Sequence, residues 1–165
     1  MEVIWCAFEL RPDPVPTLDP KGEYLKGVWR DSVYPLSEKL GFHMKLPPVQ
    51  PRSRRAHEAA HWARAAGYFN DYNQAIFRAF FERGEDIGKE DVLVRLASEL
   101  GLDGEALRAA LKQRDHEQSV LAEQQDAERY GIRAVPAFVA DGQMMLSGVQ
   151  PLDRLEDLVA WTRKK

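Results

Sequence analysis

Cysteine is almost missing from this chain: Cys6 is the single one in 165 residues. One thiol cannot close an internal disulfide, which excludes a disulfide-stapled scaffold and suits a reducing compartment. No stretch approaches the roughly 20 apolar residues of a membrane-spanning helix. No long basic run occurs, and the formal net charge is −3. Neither nucleic acid nor a membrane surface is therefore expected as a partner. The opening MEVIWCAFELRPDP lacks a basic leading region and a small-residue cleavage site, so it does not read as a secretory signal. These absences together predict a cytoplasmic protein. Internal repeats and low-complexity segments are absent too.

What is present is ordinary globular composition, with 44% hydrophobic and 30% charged residues. The length suits one domain with a real core, or a small core plus an insert. EVIWCAFEL, residues 2–10, is apolar on both alternating faces and predicts a strand buried on both sides, as in a helix-covered parallel sheet. RPDPVPTLDPKG then breaks regular structure with its prolines. Residues 23–40 carry a helical stripe of Leu25, Val28, Trp29, Val33, Leu36 and Leu40. Pro35 should kink or divide that helix, and Gly41 should close it.

Further helices follow with short connections. SRRAHEAAHWARAAG ends at Gly67. NDYNQAIFRAFFERG places Tyr72, Ile76, Phe77 and Phe80 on one face, and KEDVLVRLASELG offers Val92, Leu93, Leu96 and Leu100. Asp103 is a capping residue for the next helix. A polar helix over about 115–130 turns Val120, Ala127 and Tyr130 inward. The period then changes. AVPAFVADGQMMLSG predicts two short strands around Asp141-Gly142, a strong hairpin signal. The last helix has Pro151 near its first position and Leu152, Leu155, Leu158 and Val159 inward.

The pentapeptide HEAAH, residues 57–61, has the H-E-x-x-H spacing of a zinc peptidase helix, with both imidazoles on one face and a glutamate positioned as general base. A zinc site also needs a third ligand and an apolar approach. PRSRRA before it is basic and polar, and Glu82 and Glu85 in FERGED look like a helix end. The expected reading is therefore a solvated helical face and no metal. Cys6 reads as a small core residue of the first strand, with a reactive thiol as the functional alternative. Arg54 and Arg55 read as surface charges.

The closing stretch YGIRAVPAFVADGQMMLSGVQPLDRLEDLV resembles the second half of a thioredoxin fold, in particular that of the DsbA-like family and its FrnE-type oxidoreductases. FELRP, SRRAHEAAHWARAAG, AIFRAFFERGEDI and VLVRLASELGLDGEAL agree in order, so the resemblance covers nearly the whole chain. It implies an α/β, thioredoxin-like (DsbA-type) fold: a four-stranded sheet with helices on both faces and an inserted α-helical domain. The implied domains are a thioredoxin-like part at 1–21 and 115–165 and a helical insert at 22–114. The resemblance further implies thiol–disulfide exchange at a Cys-x-x-Cys motif, a cis peptide before Pro136, and substrate binding by Val135 and Pro136 through β-strand addition. No cofactor is implied.

The chain departs from that pattern at its chemistry. It has no Cys-x-x-Cys, and it starts where the family's second strand starts, so an N-terminally incomplete fold is expected. Exchange needs an activated thiolate and a resolving partner, so no catalytic residue is assigned. By analogy the missing strand would lie between residues 2–10 and 137–140, leaving unpaired edges through which a homodimer is conceivable. The expected function is a DsbA/FrnE-like domain inactive in exchange. The alternatives are a non-catalytic module that binds a thiol- or disulfide-containing peptide or a glutathione-like thiol, and a relative of the kappa glutathione transferases and isomerases.

Overall fold

The computed structural model describes residues 2–163. The chain divides into two compact units. One comprises Met1–Leu10 and Leu121–Lys165, and the other comprises Arg11–Val120.

The Arg11–Val120 unit is helical. Its first helical stretch is divided, as Pro35 predicts: α1 (Glu23–Val28) passes into a π-helical turn (Trp29–Val33) and then α2 (Tyr34–Leu40). Pro35 has no N–H to donate and its ring crowds the preceding turn, and a widened turn before it accommodates both constraints. Gly41 ends α2 in the left-handed conformation at φ 73°, which a residue without Cβ adopts at little cost.

Four helices build the core of this unit: α3 (Arg54–Ala65), α4 (Phe69–Phe81), α5 (Glu90–Glu99) and α6 (Gly104–Gln113). Ala56, Ala59, Ala60 and Ala63 recur at helical spacing on α3, and all are buried. Such a stripe of methyl groups lets neighbouring helices come close. Into it pack Tyr72 and Ile76 from α4, Leu93 and Leu96 from α5, and Leu107 and Leu111 from α6. Tyr72 is fully buried, and its hydroxyl donates to the Leu93 carbonyl at 2.8 Å, tying α4 to α5. Asp103 caps α6 as its sequence position predicts, accepting from the amides of Glu105 and Ala106 at 3.0 Å. Gly104 next to it is a packing requirement, since a Cβ there would sit 2.5 Å from Ser98 Oγ and 3.2 Å from the Val94 carbonyl oxygen. Phe77 corrects the predicted α4 face: it is exposed, it stands beside Phe81, and Ala79 takes the core position instead.

Helix α7 (Glu117–Arg129) runs across the boundary between the units. Gly131 follows it at φ 69°. In the other unit, β1 (Ala137–Ala140) and β2 (Met144–Ser147) form an antiparallel hairpin with Phe138 opposite Leu146 and Ala140 opposite Met144. Asp141 and Gly142 both take positive φ, at 51° and 65°, the backbone sense that tight hairpin turns require. Helix α8 (Leu152–Thr162) packs on β1, burying Leu158 and half-burying Leu155 and Val159. Leu152 and Tyr130, both predicted inward, are exposed. Each lies at a helix end, beyond the part of the face its neighbours cover.

The first segment departs most from expectation. Residues 2–10 form no strand, and the described residues contain a two-stranded sheet in place of the four implied. Val3, Ile4, Trp5 and Leu10 are each more than half exposed. A strand is defined by the neighbour that takes its peptide groups. Here the side chains of α7 take them: Ala7 N–H donates to Glu123, and Glu9 N–H donates to Gln124 at 2.9 Å.

Replacing Tyr72 by Phe removes one buried hydrogen bond without changing shape, so the helical unit is expected to lose about 1 kcal/mol. Urea unfolding followed by helical circular dichroism checks this. An unchanged midpoint would mean that the hydroxyl contributes nothing to docking α4 on α5.

Candidate functional site

Val135 and Pro136 stand just before β1, joined by a cis peptide bond. The Pro136 carbonyl accepts from Gly148 N–H at 2.7 Å, which extends the ladder by one pair beyond the register of β1 and β2. In an antiparallel pair the residues whose peptide groups face the partner alternate with those whose groups face away. The peptide groups of Phe138 and Ala140 therefore face β2, as the Pro136 carbonyl does, and those of Ala137 and Val139 face the opposite edge. No strand covers that edge among the described residues. The Val135 and Val139 side chains are also exposed. The arrangement offers an extended segment a row of main-chain partners beside two apolar side chains.

The side-chain faces of the hairpin are unequal. Phe138, Ala140, Met144 and Leu146 lie on the face toward α8, where Met144 and Leu146 meet Leu158 and Trp161 around a cavity of about 420 Å³. Val139 and Met145, paired across the strands, occupy the open face.

Cys6 corrects its expected place. It is exposed, not a core residue. The segment that was to bury it forms no strand, and burial on both faces needs flanking strands and covering helices. Its thiol lies 4.0 Å from the Ile4 carbonyl. The described residues contain no second cysteine to resolve a mixed disulfide.

The pentapeptide His57–His61 lies within α3, as its spacing predicts, but it is not a solvated face. Glu58 is only 1% exposed, and His57 and His61 are half-buried. No group of three or more metal-binding side chains converges among the described residues. Glu58 instead faces Arg114, whose guanidinium stands 3.4 Å from Oε1. Arg114 adopts a left-handed backbone at φ 60°, unusual for a side-chain-bearing residue, and it also pairs with Glu117. Burial pushes the Glu58 carboxyl above its ordinary value, and the Arg114 charge opposes that shift only in part. His61 stacks on His116 with centroids 6.5 Å apart. Burial first, and then the neighbouring His61, holds the His116 imidazole below its ordinary value. Sequence reasoning missed this group because its partners come from α3 and from the α6–α7 turn, more than fifty positions apart.

The model of the DSBA-like thioredoxin domain matches residues 1–160. The chain belongs to the DsbA-like thioredoxin family. YwbO of Bacillus subtilis (strain 168), an uncharacterized protein, is 36% identical over 169 aligned positions, covering 100% of this chain and 84% of YwbO. SCO1869 of Streptomyces coelicolor, named as a probable DsbA oxidoreductase, superposes with a TM-score of 0.78 at 22% identity over 97% of this chain and 74% of its own. A protein from Nitrosomonas europaea, named as a candidate protein disulfide isomerase, gives 0.70 at 20% identity over 90% and 78% of the two chains. At those identities the two structures establish the DsbA-like thioredoxin fold, and the family model establishes the membership.

Two outcomes are expected from these groups. First, Cys6 is exposed, so Ellman's reagent should titrate one thiol per chain in the native protein without denaturant; a thiol that reacts only on unfolding contradicts the exposed placement. Second, the raised Glu58 carboxyl contributes its full stability below its ordinary value and loses it as pH rises through the higher folded value. The stability of Glu58→Gln relative to the natural protein should therefore rise as pH increases upward from the ordinary carboxylate range. Thermal melts over a series of pH values check the sign, and a relative stability of the variant that falls with rising pH would reverse it.

Proposed function

We propose that this chain is a FrnE-type DsbA domain that does not itself turn over disulfides. It holds a thiol- or disulfide-containing peptide, or a glutathione-like thiol, against the Val135–Pro136 edge. The observation that carries the reading is the pairing of a DsbA-family scaffold with a lone cysteine, Cys6. Exchange requires an attacking thiolate and a second sulfur to resolve the mixed disulfide. Support for the binding role comes from β1, where Ala137 and Val139 turn their peptide groups away from β2, and from the exposed Val135 side chain just before it. The same reading puts the protein in the cytoplasm, where a solitary thiol stays reduced.

Dithiothreitol-driven reduction of insulin provides the test. The rate should equal that of the protein-free control, while a cysteine-containing peptide shifts the amide resonances of Ala137 and Val139. Turnover above control would defeat the non-catalytic reading. Loss of both turnover and peptide shifts would remove the binding role as well, and conjugation of glutathione to an aromatic halide would favour the transferase relatives.

A further inference from the structure

The helical unit contains a strongly charged cavity of about 370 Å³. Arg52, Arg54, Arg55, Lys89 and Arg114 line it against a single carboxylate, Asp86. The cations arrive from three places in the chain. Arg52 comes from the loop before α3, Arg54 and Arg55 from its first turn, Lys89 from the residue before α5, and Arg114 from the end of α6. Neither α3 nor α5 has a side-chain cap on its first turn, so both present backbone N–H groups at the positive end of the helix dipole. The loops that wall the cavity pack closely at Gly88. A Cβ there would meet the Arg52 carbonyl oxygen and Pro51 Cβ, each at 3.2 Å.

The carboxylates that partner these cations stand mostly outside the cavity lining. Arg52 faces Asp13 at 3.2 Å, Arg55 faces Glu90 at 3.2 Å, Arg54 faces Glu117 at 3.6 Å, and Arg114 faces Glu58 at 3.4 Å. Asp86 is engaged in its own turn, accepting from Gly88 N–H at 3.0 Å. A guanidinium carries five N–H donors in a planar fork. Arg55 makes one carboxylate contact, and Arg52 pairs with Asp13 and donates to the Arg11 carbonyl at 3.0 Å, so each fork keeps donors for a ligand. Arg114 is the left-handed C-cap that ends α6, its N–H bonded to the Ala110 carbonyl, and that turn brings its guanidinium to 3.4 Å from Glu58 while it also lines the cavity.

We propose that this cavity binds a phosphate group, carried by a small organic phosphate or present as the inorganic ion. A tetrahedral dianion satisfies donors converging from several directions, and forked guanidiniums and helix amino ends are the groups that recognise it. The cavity is larger than the ion, which leaves room for a short organic substituent. This site lies wholly within the Arg11–Val120 unit and is independent of the thiol reading of the β1 edge.

The test is a titration of the native full chain with sodium phosphate at constant ionic strength, read by amide chemical shifts. Saturable shifts at Ser53, Arg54, Gly88 and Lys89, with a dissociation constant of about 1 mM or tighter, are expected. Glycerol phosphate in a parallel arm separates the sources: tighter binding than phosphate points to an ester, and equal binding points to the inorganic ion. Arg55→Ala with Lys89→Ala removes two cations outside the buried core and should weaken binding by about tenfold or more. Shifts that fail to saturate, or that appear equally at exposed arginines elsewhere such as Arg30 and Arg129, overturn the proposal. So does undiminished affinity in the double variant. If that variant does not fold, the shift map of the natural chain decides alone.

Discussion

The close approach of three helices to the alanine stripe of α3 is the constraint on which the helical unit depends. Ala59 and Ala63 are entirely buried, and α4, α5 and α6 all contact this helix. Interiors packed at crystal-like density have no slack for a larger side chain at such positions. The same helix turns Glu58 inward and so imposes a second requirement, a cation for the buried acid. Arg114, the left-handed C-cap of α6, meets it. A buried ion pair adds little net stability, yet removing one partner is costly because the other charge is stranded. The feature that makes α3 pack well therefore also fixes the end of α6 and the charged cavity beside it.

The other unit has a different economy. Its hairpin is covered on one side-chain face by α8 and open on the other, and one edge of β1 has no strand beside it among the described residues. Exposed strand edges template pairing with other chains. The binding role we propose is placed on that edge for this reason. The first segment shows how peptide groups are satisfied without a ladder. Alternate amides at Ala7 and Glu9 are taken by neighbouring side chains of α7, while the apolar side chains before them stay in solvent.

Much of the local structure was legible from residue order. Pro35 announced a break in its helix, Asp103 a cap, Gly41 and Gly131 helix ends, and Asp141-Gly142 a hairpin. Each acts through its own backbone geometry, which does not depend on distant partners. The family was legible for a similar reason, because ordered motifs along the whole chain carry it. The pentapeptide at 57–61 was misread in its surroundings. Its spacing correctly gave a helix with two histidines on it, but burial of Glu58 depends on α6 and the turn after it, which periodicity does not register.

The sequence by itself determined the elements, their breaks and the thioredoxin-type membership, since short-range torsional preference and motif order are written residue by residue. Tertiary structure alone decided that Cys6 is exposed, that residues 2–10 form no strand, that Glu58 is buried opposite Arg114, and that five cations from three stretches share one cavity. All of these are outcomes of which distant groups come into contact. An apolar run becomes a strand only beside a partner, and a charge becomes part of a site only when the fold brings others to it.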